Sequence, residues 1–245
     1  MAHMTITRKS GALGRETQLH ILAPNGTVET PLKVLYLLHG LSDDSTCWTR
    51  FTSLESILRD AECVVVMPEG GRSFYNDTPY RECYFTYLTQ ELPKWIQFMF
   101  PISKKREDTF IAGQSMGGYG SLKAALTYPE QYGGVAVLSS VCDVRRHFED
   151  ESLPVKVAFG EKPDWSSLDL YTLAEKANFA PEKPKIYQWC GMSDFLYEDN
   201  KKFQTHMESL SFDYHFCEGE GDHMWKYWDK EVVKALSFLD LTKKQ

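Results

Sequence analysis

Apolar runs of strand length alternate along this chain with segments of helical periodicity. Three runs are almost entirely apolar, as expected for strands covered on both faces of a sheet: 32–38, 63–67 and 134–139. The segment 185–189 is a further predicted strand. Shorter apolar stretches predict further strands at 17–22, 110–112, 155–159 and 214–217. Because strands and helices take turns, the pattern predicts an α/β fold with a mostly parallel sheet and helices on both of its faces.

Helical periodicity fills most of the segments between these strands. The predicted helices cover 48–59, 84–100 (started, kinked or ended by Pro93), a segment from about 117, 170–178, 200–210, and a last helix ending at 239. Asn25-Gly26 favours a hairpin turn between 17–22 and 32–38.

The least regular part of the chain, 142–184, lies where many enzymes of this architecture insert a cap. With no linker or repeat in view, we expect one domain over 5–243, with the cap-like insertion at about 142–184. Residues 1–4 have the character of an expression scar.

Composition argues against several classes of partner. The formal net charge of −7 and the sequence pI of about 5.5 disfavour nucleic acid and anionic membranes. No apolar run approaches the roughly 20 residues of a membrane span, and 5–18 is too polar for a secretion signal. The six cysteines lack metal-site spacing, which favours free thiols in a reducing cytoplasm.

The chemistry concentrates at Gly113-Gln-Ser-Met-Gly117, which follows a predicted strand and opens a predicted helix. A G-x-S-x-G sequence in that setting is typical of a nucleophile elbow. The serine sits in strained backbone, so the residues two positions away must be nearly free of side chain. The N–H groups that start the helix face the place where an oxyanion would form. Ser115 is therefore the predicted nucleophile.

A serine hydroxyl needs a base to remove its proton, and the base needs a carboxylate to orient it. In the α/β-hydrolase arrangement these groups follow in the order serine, acid, histidine, each in a loop after a strand. Asp194 follows the predicted strand 185–189, and His223 follows 214–217. Order and position therefore predict Asp194 as the acid and His223 as the base.

Other residues compete for these roles. His206 falls inside a predicted helix and His215 inside a predicted strand, where a packed or surface histidine is the commoner explanation. His39 is expected to order a loop. Asp199 lies toward the next helix, where an acidic residue is often a cap. Asp222 directly precedes the predicted base, and neighbours on an extended loop tend to point apart.

Two backbone N–H groups would stabilise the oxyanion. One belongs to Met116, directly after the nucleophile. The second is expected after the strand 32–38, at Leu41 or, alternatively, Ser42, with Leu41 preferred. The candidates for a substrate pocket are aromatic: Trp48, Phe74, Tyr75, Tyr80 and Trp225.

Together these motifs resemble the putative-esterase family, which includes esterase D (S-formylglutathione hydrolase), tributyrin esterases, feruloyl esterases and mycolyltransferases. The resemblance covers about residues 17–240 and is closest to tributyrin-esterase-type carboxylesterases. It rests on His39-Gly-Leu-Ser, Trp48, Gly113-Gln-Ser-Met-Gly-Gly-Tyr-Gly120, Cys190-Gly-Met-Ser-Asp194 and Gly221-Asp-His-Met-Trp225. It implies an α/β-hydrolase fold, ester hydrolysis without a cofactor or metal, homo-oligomers, and triad roles for Ser115, Asp194 and His223.

The expected function is that of a cytoplasmic serine carboxylesterase acting on a small-molecule ester with a short acyl or an aryl group. One alternative is an acyltransferase that passes the acyl group to an alcohol or thiol. A second is a thioesterase similar to S-formylglutathione hydrolase. A third, from a different class, is a binding protein without catalysis on the same fold.

Overall fold

The computed structural model describes residues 1–26, 31–151 and 153–242. Within these ranges the strands, in chain order, are β1 (Ala2–Lys9), β2 (Glu16–Ala23), β3 (Lys33–Leu38), β4 (Cys63–Pro68), β5 (Thr109–Gln114), β6 (Gly134–Leu138), β7 (Lys185–Gly191) and β8 (Tyr214–Gly219). They form one sheet in the order β1-β2-β4-β3-β5-β6-β7-β8. The strands from β3 onward are parallel, whereas β2 is antiparallel to β1 and β4. The predicted domain end at 243 lies outside the described residues.

Helices connect the strands. They are α1 (Cys47–Phe51), α2 (Leu54–Ile57), α3 (Tyr84–Thr86), α4 (Leu92–Met99), α5 (Met116–Thr127), α6 (Val144–Glu149), α7 (Lys156–Phe159), α8 (Trp165–Leu168), α9 (Leu170–Ala177), α10 (Tyr197–Glu208) and α11 (Trp225–Phe238). A π-helical turn at Tyr87–Glu91 joins α3 to α4, and Pro93 sits in the first turn of α4, where no N–H partner is needed. None of the helices in the described ranges is long and apolar enough to cross a membrane.

Apolar side chains fill both faces of the sheet. In β3, Val34 and Tyr36 pack on one face, and Leu35 and Leu37 pack on the other. Helices α4, α5, α9 and α10 contribute to the first layer, and α1, α2 and α11 to the second. Successive strand residues point to opposite faces, so a strand buried on both sides must be apolar throughout. The predicted α/β-hydrolase fold, with helices on both faces of a mostly parallel sheet, is confirmed.

The predicted hairpin between 17–22 and 32–38 is wrong. Strand β2 pairs with β1 and β4, so β4 separates it from β3. Its true partner, β1, alternates half-buried and exposed positions and has too few apolar residues to stand out in the sequence. Because β1 begins at Ala2, residues 2–4 pair with 21–23 and belong to the sheet.

Two local predictions are wrong, for different reasons. A short apolar stretch such as 155–159 fits more than one periodicity, and a long helical pattern such as 48–59 can be interrupted by one extended residue. The predicted strand at 155–159 is helix α7, in which Ala158 and Phe159 are buried. The predicted helix at 48–59 is two short helices, α1 and α2, because the backbone at Thr52 is extended. Helices α6 to α9 form the cap-like segment between β6 and β7, and Phe159 contacts Tyr119 of α5 with ring centroids 5.7 Å apart.

A lysine lies inside this packing. Lys123, on α5, is 4% exposed and donates a hydrogen bond to the Asn76 side chain. Its ammonium lies 3.9 Å from the ring centroid of Phe85. Burial lowers the pKa of Lys123 to about 7, although nearby Asp77 acts in the opposite direction. Folding therefore disfavours the charged form of this amine.

The burial of Lys123 makes stability depend on pH. Between the folded pKa of about 7 and the ordinary value of 10.5 the unfolded chain binds the extra proton, so the free energy of unfolding rises with pH. The Lys123→Met variant lacks this term. We expect the unfolding free energy of the parent, minus that of the variant, to rise by about 2 kcal/mol between pH 7 and pH 9, measured by urea unfolding. A difference that stays constant over this interval would contradict the burial of the amine.

Candidate active site

Ser115 occupies a strained turn between β5 and α5. Its φ is +54°, in the left-handed region that residues with side chains seldom adopt. The turn leaves no room for side chains beside it. A Cβ on Gly113 would lie 2.5 Å from the backbone of Gly117, and one on Gly117 would lie 2.5 Å from the carbonyl oxygen of Leu38. The two glycines of the motif are therefore required by close backbone approach.

The three predicted side chains meet in one line of hydrogen bonds. Nε2 of His223 lies 3.0 Å from Oγ of Ser115, and its Nδ1 lies 2.9 Å and 3.0 Å from the two carboxylate oxygens of Asp194. Nδ1–H therefore donates to the carboxylate, and unprotonated Nε2 is left to accept the serine hydroxyl. Asp194 is 5% exposed and also accepts from the N–H of Leu196.

The loops that hold the acid and the base are locked to each other. The N–H of Ser193 donates to the carbonyl oxygen of Gly221 over 2.8 Å. A Cβ on Gly191 would lie 2.4 Å from that same oxygen, so the ends of β7 and β8 touch backbone to backbone. The spacing of the carboxylate and the imidazole is therefore fixed by the sheet itself.

Two aromatic rings hold the imidazole of His223. The ring of Trp228 stands edge-on to it at 4.9 Å, and the ring of Phe195 lies 4.6 Å away. Trp228 is buried and donates to Oγ of Ser139, whereas Phe195 is 61% exposed. Sequence reasoning missed both. The adjacency of Phe195 to the predicted acid was the one local signal available.

The two backbone N–H groups predicted for the oxyanion hole have no acceptor in the described part of the chain. Met116 opens α5, so its N–H has no intrahelical acceptor. The N–H of Leu41 also lacks an acceptor among the described residues. Leu41 is held near α5 because Gly117 packs on the carbonyl oxygen of the last residue of β3. Both N–H groups can therefore donate to a ligand.

The loop that holds Leu41 is fixed at its base by Tyr75. The Tyr75 hydroxyl accepts from the N–H of His39 over 2.9 Å and lies 3.1 Å from the His39 carbonyl oxygen, to which it donates. Its own N–H donates to Ser73. His39, 1% exposed, orders the loop through its contact with the Gly40 carbonyl oxygen at 2.7 Å. The expected structural role of His39 fits these contacts.

Glu69 reinforces the same loop. Partial burial alone would raise the pKa of this carboxyl group, but hydrogen bonds with His39 and from the N–H groups of Gly71 and Ser45 lower it to about 2. A carboxylate that is ionised at all physiological pH values therefore ties the loop after β4 to the loop after β3.

Three of the rival residues, Asp199, His206 and His215, are engaged elsewhere. Asp199 accepts from Arg146, with a shortest distance of 2.6 Å, and lies 2.8 Å from Nε2 of His147. His206 packs on the Tyr171 ring, and His215 contacts Asp213 on the surface. Asp222 makes no side-chain hydrogen bond through Oδ1 among the residues described.

The candidate pocket residues separate into two groups. Phe74, Tyr75 and Trp48 are at most 1% exposed, so they belong to the core and present no surface to a ligand. The prediction that they line a pocket does not fit this burial. The sequence could not show this, because an aromatic residue in a loop can either line a pocket or anchor the loop to the core. Trp225 is partly exposed and stands edge-on to Trp48 at 5.0 Å, while Tyr80 is 73% exposed.

Three comparisons relate this arrangement to known proteins. The family described as "Putative esterase" matches residues 10–239. An acetyl esterase of Caldicellulosiruptor saccharolyticus is 32% identical over 85% of this chain and 83% of its own length.

Two solved structures from Staphylococcus aureus share the fold. The fluorophosphonate-binding serine hydrolase FphF is 33% identical, with a TM-score of 0.89 over 97% of this chain and 98% of its own. An S-formylglutathione hydrolase is also 33% identical, with a TM-score of 0.87 over the same shares of the two chains.

The crowded turn gives a test of its own. Alanine in place of glycine inside a helix ordinarily stabilises, by roughly 0.5–1 kcal/mol. At Gly117 the new methyl group would collide with a backbone oxygen, so we expect Gly117→Ala to lower the unfolding free energy by about 1–3 kcal/mol, measured by urea unfolding. Gly26→Ala is the control, because beyond its chain neighbours no atom of the described residues lies within 4 Å of its Cβ position. Equal effects of the two changes would contradict the contact.

Proposed function

The chain belongs to the putative esterase family and is a serine hydrolase, and from this premise we propose that it hydrolyses carboxylic esters with short acyl or aryl groups. In this proposal Ser115 is the nucleophile, His223 the base and Asp194 the acid. The observation that carries the proposal is the unbroken hydrogen-bond line from the carboxylate through the imidazole to the serine hydroxyl.

Acylation begins when Oγ of Ser115 attacks the ester carbonyl carbon and its proton passes to Nε2 of His223. The carboxylate of Asp194 stabilises the imidazolium that forms. The carbonyl oxygen becomes an oxyanion, which accepts hydrogen bonds from the N–H groups of Met116 and Leu41. The imidazolium then gives its proton to the ester oxygen, the C–O bond breaks, and the alcohol leaves an acyl-enzyme behind.

Deacylation repeats these steps with water. His223 removes a proton from the water as its oxygen attacks the acyl carbon, and the same two N–H groups hold the second oxyanion. Return of the proton to Oγ of Ser115 releases the carboxylic acid and restores the enzyme. No step of this proposed mechanism draws on a cofactor.

The proposed preference for small acyl groups rests on which apolar side chains are exposed to a ligand. Since Phe74, Tyr75 and Trp48 are packed in the core, the partly exposed Leu41 and Trp225 remain to contact substrate, and we propose them for that role together with Phe195. Tyr80 stays a pocket candidate on its exposure alone. The acetyl esterase relative supports the same preference.

A second candidate function is thioester hydrolysis. An S-formylglutathione hydrolase shares 33% of its sequence and nearly its whole length with this chain. The same triad would attack a thioester, with a thiolate as the leaving group. Transfer of the acyl group to another alcohol instead of water is the further variant of this chemistry.

We also propose a cytoplasmic location, supported by six cysteines that are free thiols, four of them buried. Assembly into homo-oligomers stays a prediction, as does a substrate range without nucleic acid or membranes.

Removal of the nucleophile is the first test. We expect Ser115→Ala to lose at least about 10³-fold in kcat on p-nitrophenyl acetate, because no other group at the site can form the acyl-enzyme. Ser56→Ala, a change of the same size on the exposed surface of α2, should keep full activity. Thermal unfolding checks that both variants are folded. Substantial turnover by folded Ser115→Ala would remove the assignment.

Acyl length is the second test. We expect kcat/KM for p-nitrophenyl decanoate to be no higher than that for the acetate and butyrate, because the extra methylene groups would stay in water past Leu41 and Trp225 and gain no burial energy. S-formylglutathione is measured in the same series, and its kcat/KM relative to the esters tests the thioesterase alternative. A kcat/KM that rises steadily with chain length, or is highest for the thioester, would contradict the short-chain ester preference.

A further inference from the structure

Asp43 is the point at which the three parts of the site meet. It lies two residues after Leu41, on the loop that follows β3. Its Oδ2 accepts from Nε2 of Gln114 over 2.8 Å, and its Oδ1 accepts from Nε1 of Trp225 over 3.4 Å. Gln114 directly precedes the nucleophile, and Trp225 follows the base by two residues. One carboxylate therefore joins the nucleophile strand, the oxyanion loop and the helix after the base.

The Gln114 side chain is held against the oxyanion loop. It is 1% exposed, and a Cβ on Gly40 would lie 2.5 Å from its Nε2 and 2.7 Å from its Oε1. Its amide therefore packs directly on Gly40, whose peptide bond to Leu41 contains the donating N–H. Since Oε1 has no hydrogen-bond partner in the described part of the chain, the bond from Nε2 to Asp43 is what orients the amide.

The Trp225 side of the bridge is rigid. Its ring stands edge-on to Trp48 at 5.0 Å and to Trp228 at 5.2 Å, both nearly perpendicular. Trp228 in turn contacts the imidazole of His223. The hydrogen bond from this fixed indole to Asp43 therefore couples the position of the oxyanion loop to the position of the base.

We propose that Asp43 is a positioning residue that sets the Leu41 N–H at the distance and angle the oxyanion requires. The proposal rests on the proposed esterase function. Tyr75 fixes the start of the loop at His39, and Glu69 fixes its end at Ser45. Asp43 therefore adjusts the free donor that lies between these two points. Its negative charge, taken alone, would oppose an oxyanion nearby, so position and charge predict opposite effects of neutralising it.

Asp43→Asn separates these effects because it keeps the shape of the side chain. The amide nitrogen of Asn would face an N–H of either Gln114 or Trp225, so one of the two bonds is lost unless the Gln114 amide turns over, which exchanges the atoms that it packs against Gly40. We expect kcat on p-nitrophenyl acetate to fall about 10- to 100-fold, with KM changed less than about twofold, as for a misplaced catalytic group. An increase in kcat would show that charge dominates and would overturn the proposal.

A thionoester gives a readout that loss of folding would not move. In p-nitrophenyl thionoacetate sulfur replaces the carbonyl oxygen, and a thiolate-like centre gains little from N–H donors placed for oxygen. We therefore expect the ratio of kcat/KM for the oxygen ester to that for the thionoester to fall at least about fivefold in Asp43→Asn. Trp225→Phe, which keeps an aromatic ring but removes the N–H, should lower the ratio in the same direction.

Asp44→Asn is the matched control. Asp44 is the next residue of the same loop and is exposed, and among the described residues its side chain accepts hydrogen bonds only from Thr46 and Arg50, which are nearby in sequence. It should keep the parental kcat and ratio. An unchanged kcat and ratio in folded Asp43→Asn, with an active parent, would overturn the role of Asp43 alone. A parent that releases no p-nitrophenol from p-nitrophenyl acetate would remove the esterase function, and this role with it.

Discussion

The left-handed backbone at Ser115 is the constraint on which the rest of the site depends. A φ of +54° turns the chain from β5 into α5 and leaves the hydroxyl at the tip, 3.0 Å from the base. The turn closes because Gly113 and Gly117 meet without side chains. The contact of Gly117 with the Leu38 carbonyl oxygen brings the loop after β3 to the same place. The strained backbone at Ser115 and the close approach of the loop after β3 thus have one cause.

The sheet supplies the other half of the geometry. Strands β7 and β8 are parallel neighbours, so the loops after them leave the sheet side by side. The backbone contact between Gly191 and Gly221 leaves little freedom between those loops. Asp194 and His223 are therefore brought into contact by strand order, and the aromatic rings beside His223 restrict how the imidazole can turn.

The contact between Ser115, Asp194 and His223 was predictable from the sequence because each residue lies in the turn or loop that follows a strand, in the expected order along the chain. The role of Tyr75 was not, since an aromatic in a glycine-rich loop is typical of a pocket wall. Only the fold shows that its hydroxyl holds the backbone of His39. The pairing of β1 was missed because a weakly apolar edge strand is defined by its neighbour. The helix at 156–159 was missed because residues 155–159 fit a helical turn as well as a strand.

The central claim is that the fold itself activates one hydroxyl group. The most direct measurement is reaction of the native protein with a fluorophosphonate, followed by mass spectrometry of the digested adduct. We expect one phosphonyl group per chain, on Ser115, and no adduct once the protein is unfolded in urea. An adduct on a different serine, no adduct on the folded chain, or equal labelling of the unfolded chain would contradict it.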